Sequence, residues 1–121
     1  MKSIGVFDNQ ELYLDISSYI NGRLYLGLNS IEEPYSDITI NLPESTLPSN
    51  NTIFLTNDMS SELKSFLKEK NIIGETLYLE PCGRSEYEVA FVNFEILKEY
   101  NSVGFKEYDD YVNKKCAENV L

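Results

Sequence analysis

Between Leu12 and Leu42 the chain alternates apolar and polar residues with a period of two, three times over. Leu12, Leu14 and Ile16 alternate with Tyr13, Asp15 and Ser17; Leu24, Leu26 and Leu28 alternate with Tyr25 and Gly27. Ile38, Ile40 and Leu42 alternate with Asp37, Thr39 and Asn41. Successive strand side chains point to opposite faces, so each stretch reads as a half-buried strand, and the three share one core. A helix would scatter these leucines around its circumference. Everything downstream must therefore cover a sheet.

The first connection fixes the register. Asn21-Gly22 is the favoured dipeptide of a two-residue type I′ loop, which would pair Ile20 with Arg23 and Ile16 with Gly27. Directly paired residues share a face, so that register puts the two sets of leucines on opposite sides. A three-residue loop pairs Tyr19 with Arg23, Ile16 with Leu26 and Leu14 with Leu28, and gives Gly22 the left-handed position. Burying several leucines outweighs one dipeptide preference. The three-residue loop is expected.

Around this unit, Ile4, Val6 and Phe7 suit a leading edge strand or an ordered arm, and residues 29–36 form an acidic loop in which Pro34 blocks helix. Residues 43–51 are a polar connection without periodicity, and Thr52 to Thr56 is an apolar run read as a central strand. A helix follows over 59–70, capped by Asn57 or Asp58, with Met59, Leu63, Phe66 and Leu67 on one stripe and Gly74 at its stopping point. Residues 76–80 and 86–92 read as a second hairpin broken at Pro81. A short helix around Phe94 to Tyr100 leads to a C-terminal helix over 105–119, with Phe105, Tyr108, Val112 and Cys116 on its stripe. The expected fold is α+β: one antiparallel sheet of five to six strands, with the 59–70 and 105–119 helices packed on it. At 121 residues, 1–121 is a single domain.

Charge limits the partners. The net charge is −10, and residues 1–63 hold nine acids against Lys2 and Arg23 alone. Such a field repels phosphate backbones, so direct nucleic-acid binding is not expected; a basic protein groove would be attracted. The plainer reading is that acidity maintains solubility. No run approaches a membrane span and the N-terminus lacks a secretory apolar core, so a cytoplasmic protein is expected. Cys82 and Cys116 sit in no metal-type spacing, and a disulfide between them is possible but unforced.

Chemistry is sparse. The chain has no histidine, which removes the commonest general base and the imidazole metal ligand. Glu32-Glu33, Asp109-Asp110 and Glu86 with Glu88 are carboxylate pairs of the kind that glycoside hydrolysis or a hard cation uses, yet such neighbours are usually solvated surface. Cys82 beside Gly83-Arg84 lacks the basic cluster that activates a thiol. No catalytic activity, metal or cofactor is expected. The nine tyrosines offer more. Tyr13 and Tyr25 point away from the leucine face, on the side that carries Asp15. Under the C-terminal helix they would be core; uncovered, they form an aromatic and acidic patch rimmed by Glu32, Glu33, Tyr35 and Asp37.

The stretch from Tyr19 through Asn21-Gly22-Arg23-Leu24-Tyr25, then Glu33-Pro34-Tyr35-Ser36-Asp37-Ile38-Thr39, Leu47-Pro48-Ser49-Asn50, Thr56-Asn57-Asp58 and Gly83-Arg84-Ser85, resembles a domain-of-unknown-function family. Its members are small acidic proteins carried by bacterial conjugative elements, plasmids and phages. The matching motifs are turns and strands and name no active site. The resemblance implies a mobile-element setting, in which small acidic proteins block restriction or CRISPR nucleases by occupying a basic groove. The leading expectation is a non-catalytic inhibitor of anti-CRISPR or antirestriction type that binds a basic host protein through Asp15, Glu32, Glu33, Tyr35 and Asp37. The alternative is a structural or regulatory module of the element's own transfer machinery, working as a homodimer through an exposed strand edge.

Overall fold

The computed structural model describes residues 2–120, with side chains for residues 2–114. Cys116, expected on the apolar stripe of the last helix, lies outside the described side chains. The fold is α+β and antiparallel, but the seven strands among the described residues divide between two sheets where one was expected. Strands β1 (Ser3–Phe7), β2 (Gln10–Ser18), β3 (Leu24–Asn29) and β4 (Pro34–Asp37) form the first sheet in that order. Strands β5 (Thr52–Phe54), β6 (Ile73–Cys82) and β7 (Ser85–Val92) form the second, in the order β5-β7-β6.

The β2–β3 register is the one that burial demands: Leu14 faces Leu28, Ile16 faces Leu26 and Ser18 faces Leu24. Tyr19 N–H donates to the Arg23 carbonyl at 2.8 Å, and Gly22 closes the three-residue loop at φ +87°. The stretch expected as a leading edge strand or an ordered arm is an edge strand, β1. Asp8 and Asn9, both at positive φ (53° and 62°), make the two-residue loop between Phe7 and Gln10 that a type I′ hairpin requires.

The third strand differs from expectation. Pairing with β3 is made by Pro34–Asp37, in the stretch read as a loop, and Pro34 takes the first position of an edge strand, where no ladder donor is lost. Ile38 to Ile40 instead passes from one sheet to the other. Ile38 and Thr39 N–H both donate to the Leu26 carbonyl at 2.9 and 3.2 Å. Thr56 N–H then donates to Ile38, and Ile40 N–H donates to Phe54 at 3.1 Å. The alternation at 38–42 reports burial against two cores rather than membership of one sheet.

The leucine face of the first sheet packs on the second sheet through Ile53, Leu55, Ala90 and Val92, and on three helices. Helix α1 (Ser61–Glu69) contributes Leu63 and Leu67; α2 (Phe94–Tyr100) contributes Leu97; α3 (Ser102–Val120) contributes Phe105 and Tyr108. The cap of α1 is Ser60, whose hydroxyl accepts from Leu63 N–H at 3.1 Å, in place of the expected Asn57 or Asp58. Its end comes at Asn71 rather than Gly74. Asn71 (φ 62°) donates to Lys68 and Ile72 donates to Leu67, the paired bonds of a Schellman stop. Nor does Pro81 break β6, because β6 is an outer strand. The hairpin turns instead at Gly83-Arg84, with Gly83 at φ +64°. On the far side of the second sheet, Leu42, Phe54 and Val89 form a small second core.

Across the second sheet, Glu88 binds Lys64 at 2.5 Å and accepts from the Thr76 hydroxyl. These bonds, the Lys64 one first, hold its carboxyl below the ordinary carboxylate range. A depressed folded pKa gives stability that is present above the unfolded value, about 4.3 for Glu, and lost as pH falls through the folded value. Glu88→Gln should therefore cost about 1–2 kcal/mol near pH 6. The gap from the parent should close near pH 3. Denaturant melts at the two pH values check this, and a pH-independent gap would rule it out.

Candidate functional site

The outer face of the first sheet follows from the same alternation that buries the leucines. Asp15 pairs with Gly27 and Gly27 pairs with Asp37, so the two carboxylates belong to one row across β2, β3 and β4. Tyr25, two residues before Gly27 on the same face, lays its ring along this row. A Cβ at Gly27 would stand 2.9 Å from the Tyr25 Cζ, closer than carbon atoms pack, so only glycine leaves room for the ring. The hydroxyl donates to Asp37 Oδ1 at 2.7 Å.

Tyr19 meets Tyr25 edge-on, with centroids 5.6 Å apart and planes at 84°, and its hydroxyl shares a 3.0 Å hydrogen bond with Thr39. Burial raises the Tyr25 phenol well above its usual pKa, and the Asp37 bond and the charges of Asp37 and Asp15 add to it. Burial likewise raises Tyr19, against its Thr39 bond. Both shifts favour the neutral phenol.

Among the described side chains, those of α3 do not cover this face. Phe105 and Tyr108 enter the leucine core on the other side. The α2–α3 junction lies along the part of β2 that β1 leaves unpaired. There Asn101 Nδ2 donates to the Leu14 carbonyl at 2.9 Å; further along α3, Tyr111 donates to the Ile20 carbonyl in the β2–β3 loop at 3.0 Å. Tyr13, Asp15 and Tyr25 are accordingly half-exposed.

The structure thus brings Asp15 and Asp37 together and adds Tyr25 between them. Glu32 and Glu33 sit at the exposed tip of the β3–β4 turn, around a shallow hollow with Glu11 and Ile31, at the Tyr13–Asn29 end of the same sheet. Tyr35 goes elsewhere. It is the extra residue where the register shifts between Leu28–Ser36 and Asn29–Pro34; it packs on the main core and points its hydroxyl at Asp8, 3.4 Å away. Gly27 was not expected in this row, although a glycine inside a strand often marks a close approach.

The bases nearest in sequence are engaged. Arg23 donates to the Leu42 carbonyl at 2.6 Å and to the Ser45 carbonyl, and Lys2 pairs with Glu99 at 2.9 Å. The other carboxylate pairs supply no converging acids: Glu88 serves Lys64, and Asp110 pairs with Lys106 at 2.9 Å. Among the described residues no three His, Cys, Asp or Glu side chains are placed to hold a metal ion, and no helix is long and apolar enough to cross a membrane. Cys82 is half-buried against the second core.

The chain matches no curated protein and no solved structure. A family model described as a domain of unknown function matches residues 13–112, from the first leucine strand into α3. The chain belongs to this family, DUF4313.

Proposed function

We propose that this chain is a non-catalytic binding protein that offers the outer face of its first sheet to a basic protein. The observation that carries the reading is the Asp15–Tyr25–Asp37 row: two carboxylates flank an aromatic ring held by a hydrogen bond, and the bases nearest in sequence, Lys2 and Arg23, are engaged with other groups. Charge of this sign speeds encounter with a basic groove, and tyrosine adds contact area with a polar tip. The target class is a host nucleic-acid-binding defence nuclease of restriction or CRISPR type, in a mobile-element setting and in the cytoplasm. Asp15, Asp37, Glu32 and Glu33 form the charged footprint; neither nucleic acid nor cofactor takes part.

The test is inhibition of such a nuclease by the purified protein. Inhibition should weaken as salt rises from about 50 to about 200 mM, because the contacts are ionic and exposed. Inhibition unchanged by salt, or recovery from host lysate of no nucleic-acid enzyme, would overturn the reading. A second reading, an accessory module of the element's transfer machinery, draws on the apolar side chains that β6 exposes.

A further inference from the structure

We infer that the hollow enclosed by the β2–β3 loop, the 43–51 connection and α3 is a binding site for a small organic carboxylate. The inference is independent of the acidic outer face and of what that face binds.

The hollow measures about 300 Å³, at the small end for ligand sites. In a chain of twenty acids and ten bases, no Asp or Glu lines it, and its one charged wall is Arg23. The guanidinium is half-buried and held in place by the Leu42 and Ser45 carbonyls. Both of those partners are neutral, and among the described residues no carboxylate pairs with it. Its charge is therefore not neutralised, and the planar fork keeps N–H groups to spare.

Tyr108 adds a second donor. Its side chain is only 7 % exposed, its ring packs on the main core, and its hydroxyl makes no hydrogen bond to a described residue. Among the described residues no side-chain polar atom is sealed from solvent without a partner, so this hydroxyl opens on the hollow that Tyr108 lines. Burial, and after it the charge of Asp109, raises the phenol, which keeps its proton to donate. Leu24, Leu47 and Val112 supply apolar walls for a carbon skeleton. A cation would find no carboxylate here, and a neutral ligand would leave the charge of Arg23 unanswered. The acids elsewhere on the chain act through solvent and are screened over about 8 Å at physiological salt.

Amide chemical shifts of the full chain, titrated with acetate, benzoate, benzamide and benzamidine, test this. Benzoate should move the amides of Gly22, Asn50 and Thr52 at about one-tenth the concentration that benzamide needs, since charge-assisted bonds are the stronger. Benzamidine should leave them in place. Tyr108→Phe, which keeps the ring, should weaken benzoate binding about fivefold or more. Thr46→Glu, at an exposed wall position, puts a carboxylate beside Arg23 and should weaken it at least tenfold with the rest of the spectrum preserved. No movement of these amides by either carboxylate at about 20 mM would overturn the inference. So would benzamide binding as well as benzoate, or benzoate binding that neither substitution weakens.

Discussion

Replacing Arg23 by alanine should lower stability by about 3 kcal/mol, roughly 12 °C in melting temperature for a chain of this size. The guanidinium performs three tasks at one point. It donates to the Leu42 carbonyl at 2.6 Å and to the Ser45 carbonyl, and it lies over the Phe54 ring, 5.5 Å from its centroid. Those contacts fasten the polar 43–51 connection over the second core of Leu42, Phe54 and Val89. Without them two loop carbonyls lose charge-assisted partners and Phe54 loses part of its cover. Arg23→Lys should recover less than half of the loss, since a single ammonium cannot span both carbonyls as a planar fork does. Urea unfolding of the three proteins checks this. A melting temperature within 3 °C of the parent for Arg23→Ala would mean that the loop holds itself.

Burial wrote its own pattern into the sequence, and that part could be read. The leucines of β2 and β3 select one register, and the loop length and the role of Gly22 follow from it. Helix α1 was legible for the same reason, since Leu63, Phe66 and Leu67 recur at helical spacing and pack on the main core, although Met59, expected on that stripe, lies ahead of the cap. Hydrogen-bond routing has no such periodic signature. Ile38, Ile40 and Leu42 are apolar at every second position, yet Ile38 faces the main core while Leu42 belongs to the second. The division into two sheets turns on which carbonyls Ile38, Thr39 and Ile40 find, and that is settled by contacts more than ten residues away.

The outer face divides along the same line. Asp15 and Asp37 fall on it because strict alternation reaches both of them through the ladder. Tyr35 does not, because the register shift at Asn29 skips it and turns it towards the core. Nothing in the local sequence marks that shift. Gly27 did carry a mark. A glycine between Leu26 and Leu28, both fully buried, weakens the strand unless something needs its missing side chain, and here the Tyr25 ring does.

That dependence gives the sharpest handle on the face. Gly27→Ala puts a methyl group where the Tyr25 ring lies, and the ring, being the movable party, must lift off the sheet. The hydrogen bond to Asp37 and the edge contact with Tyr19 go with it, at a cost of about 1–2 kcal/mol in stability. The phenol then returns to water, away from the burial and the carboxylates that suppress its ionisation, and should titrate towards the usual tyrosine value near 10. In the parent the neutral form is favoured, so the ring's contribution to stability is intact below that pH and fades only in stronger alkali. Ultraviolet titration of tyrosinate therefore reports the ring's position directly. Tyr25→Phe separates the parts, since it keeps the ring seated over Gly27 and removes only the bond to Asp37. If the seated ring between two carboxylates forms the binding surface, Gly27→Ala should weaken binding to a basic partner at least tenfold and Tyr25→Phe only a few-fold. Equal and small effects on binding, with the titration shifted as expected, would place the partner on another surface.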